Sequence, residues 1–150
     1  MELLLTNSPL IASFLALFTA QMLKPIIVAI LERRFEPSML VSTGGMPSSH
    51  TAAVIALATA TGIIQGIGSN YFAIAVVLAG VVTHDAMGIR REAGKQAQAI
   101  NEWNKILVKL STSKDKTPEV LKTMLGHSFP QVLGGVLLGL FYGFLTPTFF

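Results

Sequence analysis

The chain has 150 residues, of which 51% are hydrophobic and only 13% charged, with a mean hydropathy of +0.61. That balance is too apolar for an ordinary soluble domain and points to an integral membrane protein in the lipid bilayer. With no cysteine, disulfides and thiolate metal sites are excluded, and a net charge of only +3 gives no reason to expect a nucleic-acid partner.

Crossing a bilayer takes roughly 20 apolar residues per helix. Four stretches approach that length: about Pro9 to Leu31, Ser49 to Gln65, Tyr71 to Gly88 and Gln131 to Phe150. The predicted fold class is therefore an all-α membrane bundle of about four transmembrane helices, in one domain over residues 1–150. The N-terminal run starts behind Glu2, without a basic region, and reads as a retained span, not a cleaved signal. The second run is the shortest and carries hydroxyls at Thr59 and Thr61.

All eleven Lys and Arg residues fall in Lys24–Arg34 or Arg90–Lys122. With four spans these two segments share one side, which the positive-inside rule places in the cytoplasm with both termini outside. That bias alone accounts for Lys105, Lys109, Lys114 and Lys116. Between the third and fourth spans, the polar stretch Arg90 to Gly126 reads as helix, turn and helix. Ala93, Ala97, Ile100, Leu107 and Leu110 form an apolar face for the bundle or the membrane, and the second helix starts at Thr117 and Pro118 and stops at Gly126.

Polar residues intrude at the same boundary. In "GGMPSSHTAA", Gly44 and Gly45 permit a tight turn and Pro47 suits a first helical turn, so Ser48, Ser49 and His50 stand at a helix N-terminus. Such an end gathers free N–H groups and partial positive charge and suits an anion; plain capping by Ser is the alternative. Lys24 interrupts the first span before Arg33 and Arg34, and "THDAMGIRR" puts Thr83, His84 and Asp85 ahead of Arg90 and Arg91. A carboxylate in a span is normally paired or faces the bundle interior, whereas Lys24 is equally suited to snorkelling. In "GHSFPQVLGG", His127 and Gln131 are four residues apart and share a helical face. Two histidines, several cations and a helix N-terminus on one surface are the inventory for holding a phosphate and attacking it. Two small-residue ridges, Ala52/Ala56/Ala60 and Gly135/Gly139/Gly143, are suited to close helix packing inside one bundle, with a homo-oligomer as the alternative use.

"GGMPSSH", "DAMGIRREAGKQAQAIN" and "LGHSFPQVLGG", spread from about Lys24 to Leu140, resemble the divergent branch of the type-2 phosphatidic acid phosphatases, relatives of acid phosphatases and vanadium-dependent haloperoxidases. The resemblance implies that Lys24 and Ser48 hold phosphate, that His50 is the general acid and that His127 is the nucleophile, with no metal or other cofactor because cations do that work. The chain departs from the parent pattern. The distance from Lys24 to Arg33 is longer than in that pattern and no Pro follows directly; Ser49 replaces a Gly; Val120 and Leu121 stand where Ser-Arg is expected; and Gln131 replaces an Asp. Arg90 or Arg91 at the same boundary is the candidate replacement for the missing Arg. Two readings stay open: a membrane phosphatase for a lipid phosphate or pyrophosphate, with Lys24, Arg34, Ser48, Ser49, Asp85, Arg90 and Arg91 around the anion and His127, His50 and Gln131 in catalysis, or a non-catalytic protein that keeps the pocket for a phosphorylated lipid head group or phosphate anion.

Overall fold

The computed structural model describes residues 6–110, 120–123 and 125–149. They form five helices, α1 Ser8–Glu32, α2 Ser49–Gln65, α3 Asn70–Met87, α4 Ile89–Leu110 and α5 Phe129–Leu145, with short 3₁₀ turns at Pro37–Val41 and Thr146–Thr148. The boundaries follow from caps. The Asn7 side chain accepts from Leu10 N at 3.1 Å ahead of Pro9, Ser48 Oγ accepts from Thr51 N at 3.3 Å, and Ser69 Oγ from Phe72 N at 3.2 Å. Arg33 (φ 54°) and Gly66 (φ 82°) end α1 and α2 in conformations the helix cannot continue.

Three segments, Ser8–Glu32, α3 with its continuation, and Phe129–Thr148, are long and apolar enough to cross a membrane. The fourth apolar helix, α2, has 17 residues and so is only about 25 Å long. It is the central helix, packed by α5, α1 and α3. All four expected runs form helices, each within a residue or two at its start, and three of them are long enough to span; the last passes into a 3₁₀ turn after Leu145.

Packing rests on small residues. Ala12, Ala16 and Ala20 of α1 meet Ala52, Ala56 and Ala60 of α2, and all six are fully buried. On another side of α2, α5 presents Gly135, Gly139 and Gly143: a Cβ on these would stand 2.6 Å from the Ser48 carbonyl oxygen, 2.6 Å from that of Ala52 and 2.5 Å from Thr59 Cβ. Both ridges are therefore used within the chain. Because lipid is as apolar as a leucine side chain, such close backbone approach and its dispersion contacts, more than hydrophobic expulsion, hold the helices together. One polar bond adds to them between α1 and α5, Thr19 Oγ1 to Tyr142 Oη at 2.8 Å.

Two local expectations are corrected. Residues 120–123 and 125–126 are not helical. They return along α4 because its side chains and gaps take up their backbone: Asn101 donates to the Leu121 carbonyl at 2.8 Å and accepts from its N–H at 3.0 Å, while the carbonyls of Thr123 and Leu125 lie over Gly94. Gly126 accordingly is no helix stop but a left-handed turn (φ 79°) seated against the backbone of Arg90 and Arg91. The expected start at Thr117 and Pro118 lies outside the described residues. Pro47 stands before the helix, not in its first turn, because Ser48 takes the N-cap.

Gly139→Leu should strand the bulk of a leucine against the Ala52 carbonyl and destabilise the bundle by at least the ~1–3 kcal/mol typical of overpacking. Thermal unfolding in detergent reads this, with Gly68→Ala, which faces open space, as the neutral control. An unchanged midpoint with an altered oligomer size would instead assign the glycine ridge to a contact between copies.

Candidate functional site

The site is built around a cation that water does not reach. Lys24, fully buried on α1, donates from Nζ to the Ser42 carbonyl at 2.9 Å, and among the described residues it pairs with no carboxylate. One turn earlier, Gln21 Nε2 donates to the carbonyls of Leu40 at 2.6 Å and Ser42 at 3.2 Å. Together they fold the chain after α1 back over its own helix. Gly45, at φ +88°, then lays the next turn against the methylenes of Lys24. A side chain with a Cβ would be strained at that φ, which is why a glycine stands there.

The same turn leads into the N-terminus of α2. Ser48, fully buried, donates its backbone N–H to the Gln131 carbonyl at 2.9 Å, and its hydroxyl oxygen accepts from Thr51 Oγ1 at 2.9 Å. The first-turn N–H groups of Ser49 and His50 have no acceptor within their own helix, as at any helix start. Ser49 is buried and His50 half-buried.

His127 arrives from the other side. Its N–H donates to the Ala86 carbonyl at the end of α3 at 2.8 Å, which places it just ahead of α5. Gln131 Oε1 accepts from Ser128 N at 3.0 Å and lies 3.2 Å from His127 Nδ1. Because the Ser128 N–H can only donate, the atom facing it is the amide oxygen, and an oxygen facing Nδ1 makes Nδ1 the protonated nitrogen. Nε2 therefore carries the lone pair. It is buried and has no hydrogen-bond partner among the described residues. Burial pushes the imidazole below its ordinary pKa, and the charges of Lys24 and His50 act in the same direction; the bond to Gln131 and the nearby Gly45 backbone oppose this without reversing it. The ring is a neutral, oriented base at the membrane boundary.

The α3–α4 corner supplies the remaining charges. Arg90 Nε and Asp85 Oδ2 form an ion pair at 2.6 Å, both partly exposed. Arg90, Lys24 and Asp85 all lie within electrostatic reach of His50. Lys24, Ser48, His50, Asp85, Arg90, His127 and Gln131 thus come from all five helices and the turns ahead of α2 and α5 to a common boundary. Arg34 and Arg91 do not join them. Arg34 is exposed and bridges Glu32 at 2.8 Å and Glu36 at 3.0 Å, while the Arg91 side chain is exposed and only its backbone meets the site, through Gly126.

Sequence reasoning passed over Gln21, Thr51 and the Ser42 carbonyl. The signal for the first was present, a second polar residue three positions before Lys24 in an apolar span and so on the same helical face. A backbone acceptor such as Ser42 leaves no mark in a sequence.

A family model described as the Divergent PAP2 family matches residues 5–142 of the chain. Over 156 aligned positions the chain is 38% identical to the uncharacterized membrane protein YuiD of Bacillus subtilis (strain 168), and the match covers 98% of each chain. No solved structure matches. The chain belongs to the divergent PAP2 family.

The depressed pKa of His127 has a consequence for stability. Above about pH 6.5 native and unfolded chains both hold the ring neutral. Below it the unfolded chain takes up a proton that the native chain refuses, so stability is lost as pH falls from about 6.5 toward the lower native pKa. The thermal midpoint in detergent should drop over that interval more in the wild type than in His127→Asn, which lacks the titrating group. Equal acid sensitivity would mean that His127 is not held neutral.

Proposed function

We propose that this divergent PAP2 family membrane protein is a phosphatase for a lipid phosphate or pyrophosphate, acting through a phosphohistidine on His127. The observation that carries the reading is the buried Nε2 lone pair of a neutral His127, unpartnered among the described residues, in a setting where Lys24 pairs with no described carboxylate. In the first step Nε2 attacks phosphorus, the bond to the leaving oxygen breaks, and His50 gives that oxygen a proton. In the second, water attacks phosphorus, gives its proton to His50, and the P–N bond breaks to release phosphate and restore Nε2. Lys24, Arg90, the Ser48 hydroxyl and the first-turn N–H groups of α2 would hold the equatorial oxygens, where preorganised donors stabilise developing charge most. Binding would require Arg90 to exchange Asp85 for phosphate oxygens.

Gln131 sets the rate. Its amide oxygen fixes the tautomer as a carboxylate would, but it offers no charge to the imidazolium-like phosphohistidine. Gln131→Glu keeps the acceptor for Nδ1 and Ser128 N and adds the charge. Phosphate release from a panel of phosphatidate, isoprenoid pyrophosphate and soluble phosphomonoesters by purified protein should therefore rise in Gln131→Glu. It should vanish in His127→Ala and fall roughly 10²–10⁴-fold in His50→Ala. The acid limb of the pH profile should move upward in Gln131→Glu, because a neighbouring carboxylate favours the protonated ring. Orthovanadate, as a native-state ligand, should raise the thermal midpoint of the wild type and not of Lys24→Met. Protection by vanadate with no turnover in either the wild type or Gln131→Glu would leave a head-group binding protein in place of the enzyme.

The motif face is proposed to be cytoplasmic, from the one-sided placement of Lys and Arg. In this cysteine-free chain, cysteines introduced singly at Gly68 and Lys105 should label from opposite sides of sealed vesicles, Lys105 from the cytoplasmic one. Labelling of both from one side would overturn the four-span topology.

A further inference from the structure

Helix α4 carries an apolar face that none of the described residues covers. Ile89, Ile100, Trp103, Leu107 and Leu110 fall on one side of it, and they are 47–77% exposed. Among the described residues its only helical neighbour is α3, from which it continues through Gly88. The return residues 120–123 and 125–126 occupy a different flank, on Gly94 and Asn101, about two-fifths of a turn away at 100° per residue. The opposite face carries Arg91, Lys95, Lys105 and Lys109. In the helix as a whole five Lys or Arg stand against two Glu, an excess equal to the formal net charge of the entire chain, +3.

We propose that α4 lies in the headgroup–acyl boundary of the protein's own bilayer, its apolar face down, and that it selects anionic lipid. Two features favour this occupant. The helix follows directly on α3, a membrane-crossing candidate, so it starts at the end of that span, at the bilayer surface. The charge is complementary to anionic head groups, whereas a second copy would bring another α4 of the same sign against it; amphipathic basic helices with an aromatic residue on the apolar side dock in this manner. Docking would also fix the segment held by Asn101, which ends at His127. The inference does not depend on the phosphatase reading.

Trp103 is the chain's only tryptophan and sits on the face in question, so it reports the docking directly. The full chain is reconstituted in vesicles of phosphatidylcholine alone or mixed with phosphatidylglycerol, with bromine on acyl carbons near the head group. The expected result is blue-shifted Trp103 emission that is lost to the brominated lipid, more so with phosphatidylglycerol, and little affected by aqueous iodide. Lys95→Gln, Lys105→Gln and Lys109→Gln combined should remove the phosphatidylglycerol preference. Emission quenched by iodide but not by bromolipid would overturn the proposal by placing the helix in water. Protection that appears only at high protein-to-lipid ratio would overturn it in favour of a second copy, and equal quenching in both lipids would overturn the selection of anionic lipid.

Discussion

Ser48 donates its N–H to the Gln131 carbonyl across two helices, and that 2.9 Å bond demands a backbone separation that ordinary side chains would prevent. It is possible because Gly135, one turn further along α5, leaves the space into which the Ser48 carbonyl projects. Gly139 and Gly143 keep the helices at that distance, and the alanines on another face of α2 do the same toward α1. The chemistry-bearing residues inherit their positions from this spacing. Since Ser48 caps α2 and Ser128 precedes α5, tying the two helix starts together aims both N-termini at one face, where Lys24 and His127 lie within electrostatic reach of each other.

The organisation of the helices was legible because each apolar run ends at residues with a local reason to end it, such as Ser48, Gly66, Ser69 and Gly88. The small-residue ridges were legible because spacing alone places them on one face, although which helix each would meet was not. The segment after α4 was misread for a physical reason: Thr117, Pro118 and Gly126 carry helix punctuation, but the backbone of Leu121 is claimed by the Asn101 side chain from twenty positions earlier. Local signals cannot reveal a bond of that separation. Arg34 illustrates the reverse. Its nearness to Lys24 in sequence suggested a share in the anion site, yet α1 ends at Arg33, and beyond it Arg34 finds Glu32 and Glu36 at the surface.

Electrostatically the boundary is unbalanced in a consistent direction. Arg90 has Asp85 and Arg34 has two glutamates, but Lys24, the most deeply buried cation among the described residues, has among them only a backbone carbonyl. An uncompensated charge withdrawn from water is costly, and a neutral partner repays little of that cost. The usual relief is either deprotonation or an anion. His127, held neutral beside it, adds no second positive charge and presents a lone pair at Nε2.

Gln131 shows how far this arrangement can be carried without a carboxylate. Gln131 performs three structural duties at once: its side-chain oxygen accepts from Ser128 N and orients His127, and its backbone carbonyl accepts from Ser48 N–H. An aspartate at this position would have a shorter reach, and the acceptor that now spans to both Ser128 N and His127 Nδ1 would be drawn back toward the helix. A glutamine therefore suits the geometry of this helix start, at the expense of the charge that would stabilise a protonated or phosphorylated ring. Since packing around the Ser48–Gln131 bond fixes the backbone at both ends, the side chain at 131 can differ in charge without displacing the two helix starts.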